Sequence, residues 1–258
     1  MSKFILLSGP CVIESEENVM LIAATVKEIA AKFDLDYYFK ASFDKANRSS
    51  GSKYRGPGIE RGLNILNSVK EKYDLKIVTD IHEPWQAQEV AKVVDMIQIP
   101  AFLCRQTDLL VEAAKTGKII NVKKGQFMAP WDMQYVADKI VNAGNDKVML
   151  CERGTSFGYN RLVVDMTGIY EMKKFGYPVV MDATHSVQLP GGKGYESGGN
   201  REYVETLAKA GIAAGADALF FEVHPNPDQA LSDGPNMVKL DEFEAMLERI
   251  VRVYESVH

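Results

Sequence analysis

Short apolar runs recur along this chain, and each gives way to a residue that can do chemistry. FILLS leads to Cys11, YYF ends at Lys40, KIVT ends at Asp80, and MIQIP carries Gln98 towards Phe102. IINV leads to Lys123, KVML to Glu152 and Arg153, VVM to Asp182 and His185, and ALFF to Glu222 and His224. Between the runs lie helix-period segments of roughly ten to fifteen residues, the alternation of βαβ units in a parallel sheet. Helices are expected over Asn18 to Lys32, Ile59 to Tyr73, Pro84 to Val93, Thr107 to Lys115, Gln134 to Ala143, Thr167 to Lys174, Arg201 to Ala214 and Asp241 to Tyr254. Asn18 is the expected cap of the first, Pro84 suits an opening turn, and Gly117, Gly144, Gly176 and Gly215 stand where helices would end. The pattern predicts an α/β fold, a (β/α)8 barrel forming a single domain over residues 1–258, with its active site at the carboxyl ends of the strands.

Two loops break the rhythm. ASFDKANRSSGSKYRGPG after the second strand and SVQLPGGKGYESGGN after the seventh exceed the usual two to six residues, and long loops inside compact domains are commonly functional. Gly191, Gly192, Gly194, Gly198 and Gly199 make the second a candidate lid.

At 258 residues the chain fits one barrel of about 250 residues. Thirty basic against thirty-five acidic residues leave a net charge of −5, which argues against nucleic acid or an anionic membrane as partner. An anion site must then be a local cluster. The first apolar run is too short for a signal peptide, and nothing approaches the ~18 apolar residues of a membrane span. Cys11, Cys104 and Cys151 show no repeated spacing, so no disulfide framework is expected and a cytoplasmic location fits.

Lys40, Lys45, Arg48, Lys53, Arg55, Arg105, Lys123, Lys124 and Arg153 fall at or just beyond strand ends. In an acidic chain this gathering points to an anionic substrate, with Arg offering a planar fork and Lys a point charge, enough for two anionic groups. Lys40, Lys123 and Arg153 should point over the barrel mouth, whereas Lys53, Arg55 and Lys124 fit a solvated rim equally well. Cys11, His185, Glu222 and Asp233 supply thiolate, imidazole and carboxylates near the ends of strands one, seven and eight, which are neighbours in a closed barrel. That set favours zinc or ferrous iron over magnesium, with manganese and cobalt open. His82 and His224 are rival ligands, His224 the more serious because alternation puts it on the side of Glu222. Cys104 and Cys151 read as small buried hydrophobes and His258 as a solvated tail residue.

At FKASFDKANRSS the residues become specific. With GPCVIES at 9–15, TDIHE at 79–83, QIPAFLCRQTDL at 98–109, NVKKGQFMAP at 121–130, CERGTSFGYN at 151–160, DATHSVQ at 182–188 and FEVHPNP at 221–227, the chain resembles the 3-deoxy-D-manno-octulosonate 8-phosphate synthases along nearly its whole length. The resemblance implies a (β/α)8 barrel, a homotetramer, and condensation of phosphoenolpyruvate with D-arabinose 5-phosphate and water for lipopolysaccharide precursor synthesis. It implies phosphoenolpyruvate among Lys40, Ser42, Lys45, Gln98, Ala101, Lys123 and Arg153, and arabinose 5-phosphate at Asn47, Arg48 and Ser49, with Arg105 reaching in across a subunit interface. Phe102 would shape the pocket floor, and His185, Asp233, Lys123 and Asp80 form the expected catalytic set. Cys11 stands where metal-independent members carry Asn, so the chain is similar to the metal-dependent form, with His185, Glu222 and Asp233 completing the ligands, His224 set aside, and no organic cofactor. Competing readings are the related synthase that uses erythrose 4-phosphate, whose Pro-Arg-Thr differs from Asn47-Arg48-Ser49, a Schiff-base aldolase built on Lys40 or Lys123, and a non-catalytic phosphosugar sensor.

Overall fold

The computed structural model describes residues 3–46, 53–191 and 198–257. Eight parallel strands form a closed barrel: β1 (Ile5–Gly9), β2 (Asp36–Lys40), β3 (Lys76–Asp80), β4 (Met96–Ile99), β5 (Ile119–Lys123), β6 (Val148–Glu152), β7 (Val179–Asp182) and β8 (Ala218–His224). Each pairs with the next, and β8 returns to β1 in a register running from Ile5 opposite Ala218 to Gly9 opposite Glu222.

Strand period two divides the core. Leu7, Tyr38, Val78, Met96, Met149, Cys151, Val180 and Phe220 fill the barrel interior. Their neighbours Leu6, Phe39, Ile77, Ile97, Leu150, Val179, Leu219 and Phe221 point outward and pack beneath the helices. Those helices are α1 (Glu16–Lys32), α2 (Ile59–Tyr73), α3 (Gln86–Ala91), α4 (Thr107–Ala114), α5 (Met133–Asn142), α6 (Thr167–Lys173), α7 (Val204–Ala213) and α8 (Leu240–Val257). On α8, Phe243 meets Phe221 edge-on at 5.5 Å, and burying such a side chain stabilises the fold by roughly 1.5–3 kcal/mol.

Several helix ends differ from expectation for identifiable reasons. α1 starts at Glu16 because Ser15, with extended backbone, accepts the Asn18 N–H at 3.1 Å. Asn18 is therefore the capped residue and not the cap, and its amide lies 2.9 Å from His224 Nε2. α3 is shorter than Pro84 to Val93 because the Gln86 side-chain oxygen takes the His82 and Glu83 N–H groups, at 2.7 and 3.2 Å, and shapes the entering turn. A 3-10 turn, Arg201–Tyr203, precedes α7. Gly117, Gly144, Gly176 and Gly215 follow helices with φ of 68°, 93°, 84° and 96°.

Beyond β6 an antiparallel hairpin joins Thr155–Gly158 to Arg161–Val163, and beyond β7 Gln188–Leu189 pairs with Gly198–Gly199. Of the candidate lid glycines, Gly192 and Gly194 lie outside the described residues, as does His258. Among the described residues no helix is long and apolar enough to cross a membrane.

Ser15→Ala should lower stability by about 1 kcal/mol, read from the chemical-denaturation midpoint, because the Asn18 N–H loses its partner. An unchanged midpoint would show that the cap adds nothing.

Candidate active site

Alternation that sends Leu7, Tyr38, Val78, Met96, Met149, Val180 and Phe220 into the barrel sends the following inward positions to its mouth: Gly9, Lys40, Asp80, Gln98, Arg153, Asp182 and Glu222. On β5 the inward side carries Asn121 and Lys123. At Gly9 an added Cβ would stand 2.1 Å from the Lys40 carbonyl oxygen, so only glycine lets β1 and β2 approach there before the chain turns through Cys11.

Lys40 is almost fully buried, and its Nζ donates to Glu222 Oε1 at 3.2 Å, to Ser42 Oγ at 3.0 Å and to the Cys11 carbonyl at 3.1 Å. Lys123 Nζ meets Asp182 Oδ2 at 2.5 Å and stands 3.2 Å from His185 Nδ1. Both ammonium groups lie over the Phe220 ring, 5.6 and 3.6 Å from its centroid. Half-buried Lys45 donates to Ser42 Oγ at 3.0 Å, and Ser42 in turn donates to Asp80. His82 Nε2 is 3.2 Å from Asp80 Oδ2. Arg153 Nη2 donates to Gln188 Oε1 at 3.0 Å, whose Nε2 donates to Asp233 Oδ1 at 3.1 Å. The remaining nitrogens of this buried guanidinium, Nε and Nη1, have no partner among the described residues.

These charges hold one another. Burial works against the Asp80 carboxylate, yet His82, Lys40 and Lys45 outweigh it and keep its pKa well below the usual range. Burial likewise opposes Asp182 and Glu222, but His185 with Lys123 lowers the first, and His185, Lys40 and Lys45 lower the second. Burial also disfavours the Lys45 ammonium, but Cys11, Glu222, Asp80 and Asp233 together raise its pKa. Burial pushes the Cys11 thiol well up, with Glu222 and Asp233 adding to the rise. For Arg153 burial prevails and lowers the pKa, though a guanidinium stays charged at neutral pH.

Cys11 Sγ, a Glu222 oxygen and an Asp233 oxygen all lie within 4.8 Å of one another, a possible metal site. Cys11 Sγ is 3.3 Å from Asp233 Oδ2, and His185 Nε2 is 3.6 Å from Glu222 Oε2. Ligand atoms bound at about 2.0–2.3 Å around a tetrahedral ion are about 3.3–3.8 Å apart, the spacing of these two pairs, while the mutually close group is Cys11, Glu222 and Asp233 and His185 stands beside it. Glu222 Oε2 is buried with no hydrogen-bond partner among the described residues. His185 Nδ1 lies 2.8 Å from Asp182 Oδ2; a proton there leaves the Nε2 lone pair facing Glu222, the carboxylate–histidine arrangement of a metal ligand.

Other expected residues fall elsewhere. Ala101 is buried in the 3-10 turn after β4, and Phe102 in the same turn is 53% exposed. Arg105 is exposed. Lys124 is fully buried but faces outward, binding Gly154 O and Thr155 Oγ1 and lying 3.4 Å from Glu152 Oε1. Glu152 accepts the Arg153 and Gly154 N–H groups, so this pair shapes the loop behind Arg153. Lys53 and Arg55 are exposed, the latter paired with Asp44. Asn47, Arg48 and Ser49 lie outside the described residues. His224 binds Asn226 N and faces Glu14, away from the ligand cluster. Cys104 sits in the outer core and Cys151 in the barrel interior.

Asn121, Asp182 and Gln188 were not foreseen as site residues. Asn121 buries both amide atoms without a partner among the described residues, opposite Gln98, whose Oε1 is also unpartnered. Alternation from Lys123 would have found it. Asp182 showed itself only as a strand end, and nothing around Gln188 signalled its role.

A closed (β/α)8 barrel whose mouth gathers Lys40, Lys45, Lys123 and Arg153 beside a cysteine–carboxylate cluster belongs to the barrel enzymes that take anionic substrates. The chain is a member of the DAHP synthetase I family, whose model matches residues 2–257. It is 56% identical over 255 residues to the 2-dehydro-3-deoxyphosphooctonate aldolase of Fusobacterium nucleatum, covering 99% of this chain and 92% of that one. The proteins of the same name from Cyanothece sp. and Francisella tularensis subsp. holarctica are 57% and 54% identical, over 97% and 98% of this chain and 92% and 93% of theirs.

Asp182→Asn should cost roughly 3–5 kcal/mol, because it leaves Lys123 buried without its counter-charge. The folded pKa of Asp182 lies below its ordinary value, so the stabilisation is complete above about pH 4 and fades as the pH falls further. Denaturation of both proteins at pH 7 and pH 3 checks this: the gap must narrow at the lower pH.

Proposed function

We propose that this protein condenses phosphoenolpyruvate with D-arabinose 5-phosphate and water, giving 3-deoxy-D-manno-octulosonate 8-phosphate and inorganic phosphate for lipopolysaccharide precursor synthesis. The observation that carries the reading is the buried, partly unpartnered Arg153 guanidinium among lysines at the mouth, in a chain more than half identical to proteins named for this product. A buried cation with idle donors is costly, and a phosphate or carboxylate supplies what it lacks.

In this reading Lys40, Ser42, Lys45, Gln98, Ala101, Lys123 and Arg153 hold phosphoenolpyruvate. Asn47, Arg48 and Ser49 take the sugar phosphate, with Arg105 contributed across an interface of a homotetramer. Fixing both anions against the same cations screens their repulsion and aligns the enol carbon with the aldehyde, worth several kcal/mol of barrier. As the new carbon–carbon bond forms, carbon two becomes electron-poor and water adds to it. In the same reading His185 carries a proton, Glu222 or Asp233 accepts one from that water, and Asp80 orients Ser42. The resulting hemiketal phosphate loses phosphate by carbon–oxygen cleavage, leaving the ketone. A divalent metal held by Cys11, His185, Glu222 and Asp233, chosen among zinc, iron, manganese and cobalt, would supply Lewis acidity towards the water or the aldehyde. No organic cofactor is needed, and we place the enzyme in the cytoplasm.

Lys40 and Lys123 each donate to a buried carboxylate, which speaks for ammonium groups that hold anions and against imine-forming amines.

Phosphate release from phosphoenolpyruvate should require arabinose 5-phosphate, with erythrose 4-phosphate at least about tenfold slower, equal to 1.4 kcal/mol of discrimination. Faster turnover of erythrose 4-phosphate would reverse the assignment of the acceptor. Exhaustive chelation should abolish turnover, and adding back zinc, iron, manganese or cobalt should restore it; full activity in protein shown metal-free by elemental analysis would refute metal dependence.

A further inference from the structure

His224 follows Glu222 by two positions, yet its ring turns to Glu14, Asn18 and Asn226. The Asn226 N–H donates to Nδ1 at 3.0 Å, and Nε2 lies 2.9 Å from the Asn18 amide and 3.3 Å from Glu14 Oε2; with Nδ1 accepting, a neutral ring carries its proton on Nε2, provided the Asn18 amide presents its oxygen there. The other Glu14 oxygen accepts the Leu231 N–H at 2.8 Å, two residues before Asp233. Burial opposes the Glu14 carboxylate, but the bonds from His224 and Leu231 outweigh it and hold its pKa below the ordinary value.

Glu14 stands on a fixed platform. Val12 bridges Ser42, the Ile13 N–H donates to the Ser42 carbonyl at 2.9 Å, Tyr54 Oη donates to the Ile13 carbonyl at 2.8 Å, and Ser15 caps α1. The segment it grips is less regular, passing through two short 3-10 turns, Pro227–Gln229 and Gly234–Asn236, before it rejoins the sheet at Val238. On the far side, Arg201 Nη2 donates to Gly234 O and Asp228 Oδ1, each at 2.9 Å. Asp233 lies between these two grips.

We propose that Glu14, backed by His224, is a positioning residue that fixes the Asp233 carboxylate beside the Cys11 sulfur and thereby sets the affinity of the cluster for a divalent cation. This rests on the metal reading above. Cys11 and Asp233 come from opposite ends of the chain, and a cation must find both at once. A loop that is competent only part of the time weakens binding in proportion to that fraction.

Cobalt(II) titration of the metal-free full chain reads the site through thiolate-to-cobalt absorption. Glu14→Ala should raise the cobalt Kd by about tenfold, the effect of a loop that is competent about a tenth of the time. Glu14→Gln keeps an acceptor for Leu231 but not for His224 and should fall between. In the metal-free protein, a thiol reagent followed at Cys11 by peptide mass mapping should react several-fold faster in Glu14→Ala. Wild-type cobalt affinity together with wild-type thiol reactivity in folded Glu14→Ala overturns the proposal. A wild-type chain without the thiolate band sinks the metal reading alone, and the thiol rates then decide whether Glu14 ties the two loops. If Glu14→Ala does not fold, Glu14→Gln carries both comparisons.

Discussion

Between β1 and β8 the register runs from Ile5 opposite Ala218 to Gly9 opposite Glu222, and this seam decides which residues can meet. Cys11 lies two positions past the carboxyl end of β1 and Asp233 in the loop that follows β8, at the same end of the seam. They are 222 residues apart in the chain and 3.3 Å apart in space. Holding such distant groups together by their own attraction would mean closing a very long loop for little return. The barrel core, with Leu7 and Phe220 inside and Leu6 and Phe221 outside, meets that cost for reasons unrelated to the site. The apolar contacts build the seam, and the seam delivers the chemistry.

Electrostatics then makes the mouth tolerable to the fold. Lys40 rests on Glu222 and Lys123 on Asp182, so the deepest ammonium groups are compensated before any ligand arrives. Arg153 is treated differently, reaching only the neutral Gln188 among the contacts described. Its charge is thus open to an incoming anion, as is that of Lys45 on the Ser42 hydroxyl, while Lys40 and Lys123 are already oriented by their acids. Gln188 also touches Asp233, so the anion side and the cysteine–carboxylate side share a single amide.

Much of this was legible in the order of residues because two simple periods govern it. Strand alternation placed Lys40, Lys123 and Glu222 at the mouth, and the eight apolar runs announced the barrel. Single-residue detail was less legible where a side chain had two possible partners. Asn18 could cap α1, but Ser15 reached its N–H first and left the amide for His224. Glu152 and Arg153 are adjacent at a strand end, yet alternation gives the mouth only to Arg153 and turns Glu152 outward to Lys124. Gln188 could not be found from sequence, since its meaning comes from the spatial meeting of Arg153 and Asp233.

Asp233 adopts φ of 50°, in the left-handed region where a side chain is a handicap and glycine would rest more easily. Glycine has no carboxylate to set beside sulfur. A chain selected for thermal robustness alone would relax this residue and lose a donor, so here durability and competence pull against each other. Attempts to harden the protein should leave this loop untouched and look to the helix ends instead.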